Sequence, residues 1–403
     1  MNLLLLLVIG LGSVFNSFTE EMVVSSSPFA VVLMVKNEKN VINKTLKPYI
    51  EYTDKIIVFD TGSTDGTVAT VKKFFTKNNV KNAHVVEEPF IDFAASRNRA
   101  LELAEEKFPE TAFLLMPDAE WYMKDVKGLV DFCKEHLTDL DKKTFSIKAT
   151  CPVINFYVPR LIRNKANVRF VGKVHEIPNA GTDVKVPNST YFEISVTKLG
   201  FEKTQQRWLR DEKILEAEAN ANPNDARTLF YLAQTKECLN KLDEAFKLYE
   251  KRSKMNGFVE ENYETFFRMG RVANELSKTD KTFTWEMAYN FYATAFKIRS
   301  HRIEPLIKLA EHYWPDNPPL CFLFIKRALE LPYPKDDFLF VDKTAYEFLR
   351  YEIASKSAWY VGDYETGEMA TKKALTIHPD CAQFYRNIAC YLEMKEAALR
   401  RKK

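Results

Sequence analysis

Apolar residues fall along this chain in two different rhythms. In the first half they come as short unbroken runs rich in branched side chains. Phe29–Val35 reads Phe-Ala-Val-Val-Leu-Met-Val, residues 55–59 and 112–116 repeat the pattern, and residues 83–87 form a further expected strand. Runs of this length and composition predict strands buried on both faces. Between them, residues 64–75 and 94–108 carry helical spacing, the first opening on Ser, Thr and Asp capping chemistry. A shorter helix-like stretch presents Val41, Leu46 and Ile50 inward. Strands alternating with helices predict a parallel sheet with crossover helices. Ligands of such sheets bind beyond the carboxyl ends of the strands. Polar clusters follow Val35, Phe59, Val86 and Met116, where that rule places them.

From about Gln205 onward the branched runs vanish and a helical period takes over. Residues 225–238 and 242–254 predict a pair of helices with Asn240 and Lys241 in the turn, and Ala233, Ala245 and Tyr249 at the close approach. Residues 351–361 and Tyr364–Ile377, followed by Pro379, predict another pair. Two degenerate pairs lie between them, 266–276 with 288–298 and 306–312 with 322–331. A spacing near ~34 residues is the tetratricopeptide period. Such pairs bury their apolar faces only by stacking, so a solenoid is expected. The expected division is residues 1–24 as a leader or anchor, 25–200 as the sheet domain and 201–403 as the all-helical repeat domain.

Chemistry concentrates after the predicted strands. The strongest signal is Asp60-Thr61-Gly62-Ser63-Thr64-Asp65-Gly66-Thr67, which ends a strand and opens a helix. A carboxylate at a strand end accepts hydrogen bonds from a nucleobase N–H or a ribose hydroxyl, and Gly62 permits a tight turn. Thr64 and Asp65 are of the residue types that can cap the helix that follows. Lys36-Asn37-Glu38 follows the first strand, Asp92-Phe93-Ala94-Ala95-Ser96-Arg97-Asn98 the third, and Asp118-Ala119-Glu120 the fourth. Gly172-Lys173-Val174-His175-Glu176 comes later.

Together these five segments, over residues 29 to 180, resemble the family 2 glycosyltransferases, inverting enzymes of the GT-A fold. The resemblance implies a Rossmann-like nucleotide-sugar-binding α/β sheet followed by an all-α tetratricopeptide-like solenoid, since some members carry such repeats behind the catalytic domain. It implies transfer of a hexose or N-acetylhexosamine from a UDP-sugar to a protein, glycan or lipid acceptor. Glu38, Asp60, Gly62, Ser63, Asp65, Asp92, Arg97, Asn98 and Arg160 are the expected donor-binding residues. A leaving diphosphate needs its charge neutralised, and Mn²⁺ or Mg²⁺ on carboxylate oxygens does this as a Lewis acid. Asp118, Glu120 and His175 are the expected metal ligands, with Glu120 standing where the family's Asp-x-Asp motif has its second Asp. Glu176 and Glu120 are the two candidates for the base that deprotonates the acceptor. Arg163 could flank the site, and Trp121 could stack on a sugar or belong to the core.

Composition narrows the picture. The chain has 403 residues, 46% hydrophobic and 28% charged, with a net charge of +3. That is enough apolar material for two domains, and too little charge to imply nucleic acid as a partner. The low count of 12 glycines suits a helix-rich chain. Six scattered cysteines without a CxxC pair point to free thiols rather than a zinc site or a disulfide framework. The uncharged apolar run from Leu3 to Val14 resembles a secretory signal, or an uncleaved anchor. The first places the protein in the endoplasmic reticulum or Golgi lumen; without it the protein is cytoplasmic. Asn43 and Asn188 begin glycosylation sequons. A homodimer through the repeat domain is a further expectation. Two other classes compete: a decayed scaffold, favoured by the departure at Pro117 to Glu120, and a nucleotidyltransferase, disfavoured by Lys36-Asn37-Glu38 where a Gly-rich segment would stand.

Overall fold

The computed structural model describes residues 27–181, 184–195 and 198–401. The apolar run near the amino terminus lies outside them. No helix among the described residues is long and apolar enough to cross a membrane.

Three strand–helix units and a fourth strand open the first half. They are β1 (Phe29–Val35), α1 (Ile42–Leu46), β2 (Ile56–Asp60), α2 (Thr67–Lys77), β3 (Ala83–Glu87), α3 (Phe93–Lys107) and β4 (Phe113–Leu115). β5 (Trp121–Lys124), α4 (Val126–Glu135), β6 (Thr144–Thr150), β7 (Ile154–Arg163), β8 (Phe170–Val171), β9 (Ile177–Pro178), β10 (Val184–Lys185) and β11 (Tyr191–Ile194) follow. The main sheet runs β3-β2-β1-β4-β7-β6-β11-β5. β3, β2, β1 and β4 are parallel, as expected, and β7 joins β4 antiparallel. The strands after β4 were not anticipated, and they turn the parallel sheet into a mixed one.

The period of two in β1 and β2 sorts their side chains into two layers. Val31, Leu33, Ile56 and Val58 face α1, α2 and α4 through Leu46, Val71 and Leu129. Ala30, Val32, Ile57 and Phe59 face α3 through Ala100, Leu101 and Ala104. With helices on both faces, these strands have no solvated side, which is why their sequence shows no polar alternation.

A long helix, α5 (Lys198–Ala221), leads into antiparallel pairs: α6 (Ala226–Cys238) with α7 (Leu242–Ser253), α8 (Val259–Leu276) with α9 (Trp285–Ile298), and α10 (Glu304–Tyr313) with α11 (Pro318–Glu330). Small residues set the close approaches. Ala233 and Ala245 are fully buried between α6 and α7, and Gly270 of α8 lies against the Tyr292 ring of α9.

One short segment departs from the helical expectation. β12 (Val341–Asp342) leaves the solenoid and pairs antiparallel with the start of β7. After it come α12 (Arg350–Ser357), α13 (Tyr364–Ile377) and α14 (Ala382–Arg401). The approach to β12 is pinned from both sides. The Phe338 carbonyl accepts the Tyr157 N–H at 2.8 Å. On the helical side, Glu260 accepts the N–H groups of Phe338 and Leu339 at 2.8 and 2.7 Å, and the Arg302 guanidinium donates to the carbonyls of Leu339 and Phe340. The second half is therefore helical with one strand tied into the sheet.

Candidate active site

The turn after β2 shows what its sequence is for. Asp60 is 2% exposed, and its Oδ1 accepts the N–H groups of Gly62 and Ser63 at 2.9 and 2.8 Å. Gly62 takes φ +98° with open space before it. The other carboxylate oxygen, Oδ2, is buried with no hydrogen-bond partner. Neighbouring motif residues stitch this turn to the loop after β1. Ser63 Oγ accepts the Asn37 N–H at 2.8 Å, and Asn37 Oδ1 accepts the Thr64 N–H at 2.7 Å. Asp65 accepts the N–H groups of Lys39 and Thr67, and Glu38 donates its N–H to Thr67 Oγ1.

A second cluster forms where α3, the loop after β4, β7 and the segment after β8 meet. Arg97 donates to Asp118 and to Glu176, each at 2.5 Å. Arg160 lies 3.3 Å from Glu176 and 3.7 Å from Asp118. Two guanidiniums thus face two carboxylates. Burial alone would raise the Asp118 and Glu176 carboxyls, but Arg97 and Arg160 outweigh it and hold both below the usual carboxylate range. For Arg160, burial and the repulsion of Arg97 pull the guanidinium below its ordinary value. Arg97 Nη1 and Arg160 Nε are buried with no hydrogen-bond partner.

This cluster opens on a cleft of about 900 Å³ between the sheet and the helical region. Arg97, Asp118, Trp121, Arg160, His175 and Glu176 line it from the sheet side. Arg207, Trp208 and Asp211 of α5, Arg227 and Tyr231 of α6, Phe258 and Glu261, and Phe338 to Phe340 close it from the other. Burial raises the Asp211 carboxyl against the pull of Arg210 and Arg207. The walls that enclose the His175 ring, with Arg227 and Arg207, push its imidazole below its ordinary value. Trp121 lies against Phe192 and Phe156 and beneath the Arg160 guanidinium, 5.7 Å from the ring centre, so it belongs to the floor of the cleft.

Several of the residues expected at the site do not line the cleft. Asp92 caps α3 by accepting the Ala95 N–H at 2.7 Å. Asn98 brackets the Phe170 backbone, donating to its carbonyl at 3.0 Å and accepting its N–H at 2.7 Å. Ser63 and Asp65 serve the stitched turn. These hydrogen bonds tie all four into the scaffold, and none of the four lines the cleft. Arg163 points away, donating to the carbonyls of Lys142 and His136. Glu120 does not line the cleft.

Nor do Asp118, Glu120 and His175 converge into a metal-ligand set. Among the described residues, the three acidic or imidazole groups whose ligand atoms lie within 4.8 Å of one another are Glu212, Glu216 and Glu244. Those surround the Lys236 ammonium at 2.9, 2.5 and 2.6 Å, which accounts for their gathering. Asp118 faces arginines instead, so as arranged the trio does not fit a divalent cation.

Residues 30–144 match the family model described as glycosyl transferase family 2. The N-terminal region is a family 2 glycosyltransferase domain. Two curated relatives are similar to the chain, the SPbeta prophage-derived glycosyltransferase SunS of Bacillus subtilis (strain 168) and glycosyltransferase SunS of Bacillus phage SPbeta. Each is 27% identical over 232 residues, covering 54% of this chain and 51% of the relative. The chain spans about half the length of the curated relatives it matches. Solved structures are similar over about half of the chain. MamA is 14% identical with a TM-score of 0.34, covering 47% of this chain and 99% of its own. A tetratricopeptide repeat protein from Parabacteroides merdae is 16% identical with a TM-score of 0.33, covering 49% and 73%.

The sequence motifs lie on the sheet side alone. Arg207, Asp211, Arg227, Tyr231 and the Phe338 to Phe340 segment belong to no motif. A perturbed carboxyl and a strand that leaves a helical array become visible only in three dimensions.

Proposed function

We propose that this chain moves a sugar from a UDP-sugar to an acceptor held in the cleft, by inverting single displacement. Three orphaned buried groups carry the reading: Asp60 Oδ2, Arg97 Nη1 and Arg160 Nε. Buried polar atoms without partners are rare in folded proteins, and these three have complementary needs. An acceptor oxygen on Asp60 suits a nucleobase N–H or a ribose hydroxyl, and guanidinium N–H groups suit phosphate oxygens. Asp60 ends β2 and Asp118 follows β4, at the same edge of the parallel sheet. A nucleoside diphosphate spanning that edge satisfies all three.

In the reaction an acceptor nucleophile attacks the anomeric carbon, the bond to the diphosphate oxygen breaks, and the acceptor loses a proton. Asp118 and Glu176 hold Arg97 and Arg160 in place, and the arginines meet the charge that grows on the leaving diphosphate. A carboxyl with a lowered pKa is a poor base, which argues against Glu176 in that role. Asp211 lines the cleft and has its carboxyl raised, so it is the better matched proton acceptor.

Calorimetric titration with UDP, GDP and a panel of UDP-sugars tests the donor. The variant Asp60→Asn keeps an oxygen for the turn but removes the orphaned acceptor. It is expected to weaken UDP binding roughly 10- to 100-fold, the value of a hydrogen bond to a charged group of about 1.5–3 kcal/mol. Wild-type protein that binds no nucleotide, or a variant that binds as wild type, would refute the reading.

A further inference from the structure

The segment that delivers Glu176 to the arginines is not held by the sheet domain alone. It leaves β8 through Gly172 at φ +93° and passes His175 at φ +52°, a left-handed conformation that costs a non-glycine residue energy unless its surroundings impose it. Those surroundings come from the helical region. The His175 ring stacks on Tyr231 of α6, with centroids 4.0 Å apart and planes at 13°. Arg227, one turn earlier on α6, donates to the His175 carbonyl at 3.2 Å and lies 4.7 Å over the Tyr231 ring. Arg227 is itself fixed by an ion pair with the buried Glu261 of α8. Val174 is buried in the core cluster of the helical region beside Leu215, Phe230 and Tyr231, and the Lys173 N–H donates to Glu218 of α5 at 3.3 Å.

We infer that Tyr231 and Arg227 are positioning residues of the transferase, clamping the His175–Glu176 segment so that Glu176 reaches Arg97 and Arg160. The first helical pair is then part of the catalytic unit, not an appended interaction module. A flat ring holds a flat ring without needing the phenol hydroxyl, and a guanidinium holds the carbonyl that the left-handed turn presents. This inference rests on the reading of the Arg97 cluster as a sugar-transfer site, and its test separates the two.

The full chain has six histidines, so a selectively ¹³C-labelled histidine spectrum is tractable, with His175→Ala assigning the resonance. Stacking on Tyr231 shifts the His175 ring protons upfield in wild type. Tyr231→Ala is expected to lose that shift and to lower kcat for transfer tenfold or more, with the KM for donor changed less than threefold. Tyr231→Phe is expected to restore both the shift and most of the rate. Arg227→Gln serves as a second variant, since it spares the core ring. It is expected to lower kcat in the same manner while the helical circular dichroism at the assay temperature stays at wild type. The inference is overturned if Tyr231→Ala and Arg227→Gln both transfer at the wild-type rate, if Tyr231→Phe falls as far as Tyr231→Ala, or if wild type shows no upfield shift. A wild-type protein with the shift but no transfer with any nucleotide-sugar would leave the clamp standing and remove the transfer reading.

Discussion

Replacing Glu176 by Gln isolates the electrostatics of the Arg97 cluster. The substitution keeps the size of the side chain and one oxygen able to accept the Arg97 Nε–H now held at 2.5 Å. It removes one of two negative charges that balance Arg97 and Arg160, whose side chains are 4% and 9% exposed. Leaving a buried charge uncompensated costs about 3–5 kcal/mol, and the retained acceptor oxygen places the loss near the lower end, about 3 kcal/mol. For a unit of the sheet domain's size, each kcal/mol lowers Tm by roughly 2–4 °C, so a fall of roughly 6–12 °C is expected at pH 7. The dependence on pH follows from the depressed carboxyl. The folded state binds the Glu176 proton less readily than the unfolded chain, whose glutamates titrate near ~4.3. The stabilisation is therefore complete above that value and is lost as pH falls through the lower folded value. Wild type loses it in acid, whereas the Glu176→Gln variant has none to lose, so the Tm gap between them narrows as pH falls from 7 towards 3. Differential scanning calorimetry across that range reads both quantities. A gap below about 2 °C at pH 7, less than one kcal/mol on that scale, or a gap that stays constant into acid, would refute a buried and balanced cluster.

Two other substitutions test neighbouring parts of the structure. Asn98→Ala removes both hydrogen bonds to Phe170 and is expected to cost about 1–3 kcal/mol of stability with UDP affinity unchanged by calorimetry; a selective loss of nucleotide affinity would return Asn98 to the donor site. Gly270→Ala pits about 1 kcal/mol of helix propensity against about 1–3 kcal/mol of overpacking on the Tyr292 ring; a lower Tm is expected, and a higher one would show that α8 and α9 are not in close contact.

β1, β2 and β4 were legible because each is a run of mostly apolar residues buried on both faces, and that burial leaves a local mark. The bounds of β1 and β3 coincide with the expected runs, and α13 with its expected helix. β6 and β7 carry Lys148, Asn155 and Arg160 among their apolar residues, and the short β11 carries Glu193. Their place in the sheet depends on partners far along the chain: β11 lies between β5 and β6, joining Phe192 to Met123 and to Ala149. No local window contains that information. The turn at Asp60 was legible for the opposite reason, because its hydrogen bonds run to residues two and three positions away. The role of Asn98 was not, because its partner is Phe170.

The same distinction explains how the site itself divides. A motif records what a short stretch must do to fold, so it marks the turn after β2 and the cap of α3 through their own backbone hydrogen bonds. What faces the cleft is assembled from α3, β7, the segment after β8, α5, α6 and the approach to β12, each held by a contact across the chain. Arg302 fixes the Phe340 carbonyl, Arg227 the His175 carbonyl, and Glu176 the Arg97 guanidinium. Two of these three contacts involve the helical region. A sheet domain cut free at the start of α5 would keep its strands and its Asp60 turn, but it would lose the far wall of the cleft and the clamp on Glu176.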